Sequence, residues 1–224
     1  MRTRALALLT GVTLLCGCFG TSWQRSVGIL KDRQAEVELE CMFESGAPKH
    51  AGFAHPADIP SEHLAAFFNS LNYEQPKLIG KMKYRPLVSD TLIDTLSVAI
   101  AEGLARAGPA ERVRFSVVNT RYDFKFLPKT CTTRGVAFVK PQGILNVAFD
   151  MVDSGTETDI PGEYHASEWG DPTRYAITQV TLLLPTSASL FRDENGDEHP
   201  LWVVVPVETL ASYVAPSAPG KEPE

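Results

Sequence analysis

Long apolar runs are missing from this chain. None reaches the roughly 18 to 20 residues that a helix needs to cross a bilayer, which excludes a membrane-spanning helix. Clustered positive charge is missing too. The 224 residues hold 21 Lys and Arg against 27 Asp and Glu, a formal charge of −6, and the longest basic pattern, Lys77, Lys81, Lys83 and Arg85, alternates with apolar residues as a solvated strand face does. Neutralising phosphates takes a clustered basic surface, so a nucleic-acid partner is not expected. Catalytic signatures are also lacking: there is no G-x-S-x-G elbow, P-loop, G-x-G-x-x-G, H-E-x-x-H or C-x-x-C. The one-motif enzymes and a bound cofactor are thereby unsupported, although a site built from residues far apart in sequence would leave no such trace. What remains, 44% hydrophobic and 21% charged residues, is ordinary for a globular domain.

The most informative segment is the first. Arg2 and Arg4 precede an apolar stretch over 5–15, followed by Leu15-Cys16-Gly17-Cys18. That order reads as an export signal. Its last four residues resemble the lipobox of bacterial lipoproteins: a leucine three before, a small glycine immediately before, and a cysteine whose thiol is the nucleophile for diacylglyceryl transfer. The resemblance implies cleavage before Cys18, thioether lipidation of Cys18 and N-acylation. Three acyl chains then make a firm membrane anchor. Phe19 stands where Asp commonly retains such proteins in the inner membrane, so the resemblance implies the outer membrane, with the domain facing the periplasm. Loss of Arg2 and Arg4 leaves 19 basic against 27 acidic residues in a mature chain of 207. The layout as a whole is similar to proteobacterial envelope lipoproteins of unassigned activity, which implies a location but no chemistry.

Export sets the redox context. With Cys16 removed and Cys18 alkylated, Cys41 and Cys131 remain. Two cysteines in an oxidising compartment make a disulfide plausible, closing a loop of roughly 90 residues for about 4 to 5 kcal/mol in the chain-entropy model. The alternative is a pair of buried, inert thiols.

Past the signal, residues 18–34 show no sustained periodicity and are expected to form a tether. Over 35–43, Val37, Leu39, Cys41 and Phe43 alternate with Glu36, Glu38 and Glu40, predicting a half-buried strand with an acidic outer face. Ser61 is placed to cap a helix with Leu64, Phe67, Phe68 and Leu71 as its apolar stripe. Residues 77–85 read as a strand whose basic row would pair with the Glu row. A second helix is expected over 89–107, with Asp90 and Asp94 at its start, a stripe of Leu92, Ile93, Leu96, Ile100 and Leu104, and Gly108-Pro109 beyond its end. Strands follow around Val113, Phe115 and Val117, over 135–140 and 144–152 about a Lys140-Pro141-Gln142-Gly143 hairpin link, and over 175–184 and 201–205 about an Asn195-Gly196 turn. The fold class is therefore α+β, a mostly antiparallel sheet with two helices packed on one face. The expected domain spans 35–214, followed by a disordered tail at 215–224.

Three groups invite chemistry. His50, His55 and His63 with Asp58 match no compact zinc spacing. Asp193, Asn195 and Asp197 alternate as calcium-loop ligands do, but the glycine falls at the wrong position and a hairpin accounts for them. The third is the long stretch 153–171, without a Lys or Arg, in which Glu157, Asp159, Glu163, Tyr164, His165, Glu168 and Trp169 form a candidate binding loop for an envelope protein or glycan. The expectation is a lipid-anchored, periplasm-facing binding or assembly factor. The alternative is an envelope hydrolase for glycan or peptide using Glu157, Glu163, His165 or Glu168 as acid and base; a lipid-binding module is the third.

Overall fold

The computed structural model describes residues 21–75, 83–123, 127–155, 171–173 and 180–213. Cys18, the seven candidate loop residues from Glu157 to Trp169, and the tail lie outside them. Eleven strands occur among the described residues: β1 (Thr21–Lys31), β2 (Ala35–Glu44), β3 (Ala47–Pro48), β4 (Asn72–Gln75), β5 (Lys83–Pro86), β6 (Glu111–Asp123), β7 (Leu127–Lys140), β8 (Ile144–Gly155), β9 (Thr181–Leu183), β10 (Ser189–Arg192) and β11 (Glu198–Pro206). Helices α1 (Ser61–Ser70) and α2 (Asp90–Arg106) fall where the apolar stripes predict them, and a 3-10 turn, Val207–Ser212, follows β11. The main sheet runs β1-β2-β6-β7-β8-β11-β10 with β3 beside β2, and a smaller sheet runs β5-β4-β9. All the pairings are antiparallel. The chain is thus sheet-rich and antiparallel with few helices, an α+β fold.

Alternation along the strands sorts side chains into two cores. Val37, Leu39, Val113, Phe115, Val117, Ala137, Val139, Leu145, Val147, Phe149 and Val203 join the stripes of α1 and α2 in the larger one. Val136, Phe138, Ala148 and Trp202, from the alternate positions, form the smaller. At Gly103 of α2 an added Cβ would lie 2.8 Å from a Val113 methyl, so the helix approaches β6 as closely as a missing side chain permits.

The register also fixes which turns share an end of the sheet. Thr21 lies opposite Glu44, Cys41 opposite Glu111, Lys140 opposite Ile144, and Ile144 opposite Pro206. The start of β1, the β2–β3 turn at Ser45 and Gly46, the β7–β8 turn at 141–143 and the end of β11 therefore lie together. The β1–β2 turn at Asp32, the end of β8 and the β10–β11 turn at 193–197 lie at the other end.

Several expectations are corrected. Most of the expected tether, 18–34, is β1, paired along β2. The row Glu38 and Glu40 is buried, at 8% and 5% exposure. Its basic partners are Arg112 and Arg114 of β6, whereas Lys83–Pro86 pairs with β4 in the smaller sheet. A basic row does face the Glu row, but β6 supplies it, with the same alternation of charged and apolar residues. Pro60, not Ser61, occupies the N-cap of α1. In the β10–β11 turn only Gly196 takes positive φ, and the Asp193 carboxylate caps the turn by accepting from the Asn195 and Asp197 N–H groups, both at 2.9 Å. Of the strand expected over 175–184, the described part is Thr181–Leu183, which pairs with β4.

Cys41 and Cys131 are both buried and are not bonded to each other. Cys41 lies opposite Glu111 and Cys131 opposite Asn119, eight residues further along the same β6, or about 27 Å at strand rise. A bridge needs Cα atoms within about 7 Å. Burial, reinforced by Glu111, pushes the Cys41 thiol pKa up and makes it unreactive.

Candidate functional site

On β2 and β6, Glu40 faces Arg112 and Glu38 faces Arg114 as directly opposed pairs. Both rows point away from Val113 and Phe115, because alternate residues of a strand project to opposite faces. Arg112 Nε donates to Glu40 Oε2 at 3.0 Å, and Arg114 Nη1 reaches Glu40 Oε1 at 3.1 Å and Glu38 Oε1 at 3.3 Å. From β1, Arg25 Nε meets Glu38 Oε1 at 3.0 Å. On β7 and β8, Arg134 Nη2 meets Asp150 Oδ2 at 2.8 Å. Burial raises the Glu38 pKa despite Arg114 and Arg25, and raises the Asp150 pKa despite Arg134. The ladder is thus partly desolvated, and a missing rung would leave an uncompensated buried charge.

Aromatic side chains adjoin the ladder. The Trp23 ring lies 3.7 Å from Arg112 Cζ, a cation–π contact, and stacks on Phe53. Phe53 packs on Phe138 at 4.5 Å between centroids, Phe138 on Trp202 at 6.0 Å, and Trp202 on Phe191 at 3.8 Å. Lys140 Nζ stands 5.0 Å from the Phe191 centroid. The Trp202 indole N–H donates to Asn146 Oδ1 at 3.1 Å, satisfying its one polar atom.

This face meets the acidic stretch at one of its two described ends. Asp171 Oδ1 accepts from Arg112 Nη1 at 2.9 Å and from the Thr173 hydroxyl and N–H. Burial favours the neutral acid, but Arg112 and the Thr173 hydrogen bonds outweigh it and hold Asp171 below the usual carboxylate range. At the other root Asp153 is 6% exposed with φ +53. Its carboxylate accepts from the Tyr73 hydroxyl and from Arg85 Nη1 at 3.5 Å, and its N–H donates to Thr133 Oγ1 at 3.1 Å. A non-glycine residue at positive φ is retained where surrounding contacts over-determine it. Both roots of 153–171 are therefore anchored in the fold, one beside Tyr73 and one on the Arg–Glu face.

The histidines are not brought together as metal ligands: among the described residues no group of three or more His, Cys, Asp and Glu is placed to hold an ion. His55 is buried, and its Nε2 accepts the Val139 N–H at 3.3 Å. It bonds β7 beyond its last paired position with β6, Val113 opposite Ala137. Sequence reasoning missed Arg112 and Trp23, and put Glu40 on an outer acidic face although it is buried. The alternation of Arg112 and Arg114 with valine and phenylalanine was the available signal, but it does not say that the charged side is buried. No family model, curated protein or solved structure matches the chain.

Proposed function

We propose that this protein is a lipid-anchored, periplasm-facing envelope lipoprotein that binds or assembles another envelope component. In this reading Cys18 carries the lipid, Phe19 directs the protein to the outer membrane, and residues 153–171 make the contact. The observation that carries the reading is the double anchoring of that stretch through Asp153 and Asp171. A segment with six carboxylates and no Lys or Arg, fixed at both roots, loses less freedom on capture than one hanging loose. In the same reading α1 and α2 cover one face of the main sheet, which leaves the other to hold the returning root. The chemistry suits a partner with a basic patch, whose capture would weaken with salt.

Cross-linking of the tagged chain in cells, followed by mass spectrometry, tests this. One dominant envelope protein is expected, lost in Cys18→Ser and in the combined variant Glu157→Gln, Asp159→Asn, Glu163→Gln and Glu168→Gln, which keeps both roots. Undiminished capture by the combined variant would remove the stretch from the contact. Release of peptidoglycan fragments by the purified protein, abolished by Glu163→Gln alone, would replace the binding reading with the hydrolase.

A further inference from the structure

We infer that the protein stands on the bilayer with one end of its main sheet, the start of β1, the β2–β3 turn and the β7–β8 turn lying at the lipid headgroups. This rests on the lipid anchor at Cys18 proposed above, and it names the surface that the anchor presses against the membrane.

Reach is the first argument. Thr21 already belongs to β1 and is paired with Glu44. Whatever conformation the intervening residues take, Cys18 and Thr21 are joined by three Cα–Cα steps, which span at most about 11 Å. An anchored cysteine therefore holds the Thr21 end of the sheet at the headgroup layer. The far end has no such constraint: β8 leaves the anchored end at Ile144 and reaches Asp153 about 30 Å further on at strand rise.

Charge is the second argument, and it does not depend on the first. Anionic headgroups repel carboxylates and attract Lys and Arg. At the Thr21 end, residues 45–50 read Ser-Gly-Ala-Pro-Lys-His and 141–143 read Pro-Gln-Gly, all exposed and without a carboxylate. Glu44 is paired with Lys49 at 2.7 Å, Glu111 accepts from Ser26 and the Gly108 N–H, and Glu208 sits on the 3-10 turn after β11. The opposite end carries both signs, Lys31, Asp32 and Arg33 at the β1–β2 turn and Arg192, Asp193, Glu194, Asp197 and Glu198 about the β10–β11 turn. One root of the acidic stretch, Asp153, lies there, and the other, Asp171, is held by Arg112 near the Thr21 end. The two described turns at the anchored end, β2–β3 and β7–β8, thus carry no carboxylate that would repel the headgroups.

The test uses the full lipidated chain in vesicles of phosphatidylethanolamine and phosphatidylglycerol carrying a headgroup-attached quencher. A fluorophore is placed at Gln142→Cys or at Asn195→Cys; both turns are exposed, while Cys41 and Cys131 are buried. The expected result is loss of fluorescence at 142 and none at 195. Equal loss at the two positions, or loss at 195 alone, would overturn the orientation. A flexible Gly/Ser insert between Cys18 and Thr21 should abolish the difference, and its persistence would overturn the role of the short span. Intact mass and flotation separate the two levels. A chain without acyl mass that does not float with the vesicles overturns the anchor and the orientation together, whereas an acylated, floating chain quenched equally at both positions overturns the orientation alone.

Discussion

Arg112 is 2% exposed, and its guanidinium is held by Glu40, by Asp171 and by the Trp23 ring. Replacing one member of a buried pair costs about 3 to 5 kcal/mol, because the other keeps its charge without its partner. Arg112→Met should therefore lower the urea-unfolding free energy by that much. In a double-mutant cycle with Glu40→Gln, the coupling should exceed about 1 kcal/mol; a smaller value would mean that Asp171 or water, not Glu40, compensates Arg112. His55 supplies a second residue-scale prediction. Burial lowers its pKa against the opposing pull of the Leu104 backbone and Glu111. Above about 6.5 the imidazole is neutral in both folded and unfolded chains. Below that the unfolded chain takes up a proton that the folded one resists, so stability falls with falling pH until the depressed folded value is passed. His55→Gln, which keeps an acceptor for the Val139 N–H, should flatten this part of the stability profile measured by urea unfolding. An unchanged slope would assign it to another group.

Elements were legible where one physical signal sufficed. The stripe of Leu92, Leu96, Ile100 and Leu104, closed by Gly108-Pro109, specifies α2 to within a residue of its observed ends, because a helix face reports its own burial. The β7–β8 hairpin was readable from Gly143, which takes the positive φ the turn requires. Pairing was not readable, because alternation gives a strand its two faces but not its neighbour, and two Lys/Arg rows competed for one Glu row. The separation of Cys41 from Cys131 follows from the same limit: their distance depends on register. Gly135 shows how tightly that register is packed. A Cβ there would lie 2.6 Å from the Ala148 carbonyl oxygen and 2.9 Å from the Phe115 ring, whereas nothing lies within 4 Å of one at Gly28. Gly135→Ala should cost about 1 to 3 kcal/mol by overpacking, and Gly28→Ala should cost far less. Similar thermal-unfolding midpoints for the two variants would show that β7 and β8 yield at this point.

For the molecule as a whole, the element that sequence hid is the one that decides its posture. β1 reads as a tether because an edge strand this exposed has little apolar alternation; apart from half-buried Trp23, only Ile29 and Leu30 turn inward. The acidic stretch was legible as composition, but its roots were not, since Arg112 and Tyr73 lie far from it in sequence. If β1 is integral, a chain shortened to begin at Ala35 loses the Arg25–Glu38 ion pair, the hydrogen bond from Ser26 Oγ to the Leu39 carbonyl and the Trp23 stack on Arg112. It also bares the N–H and C=O groups of β2 along a new sheet edge, a template for pairing with other chains. Such a chain should unfold at a lower temperature than one beginning at Thr21 and should sediment as larger species. If both unfold and sediment alike, β1 contributes nothing to the fold. The segment from Cys18 to Gln34 would then act as a tether, the sheet would no longer be held to the headgroups by a three-residue span, and the two labelled turns would lose their expected difference.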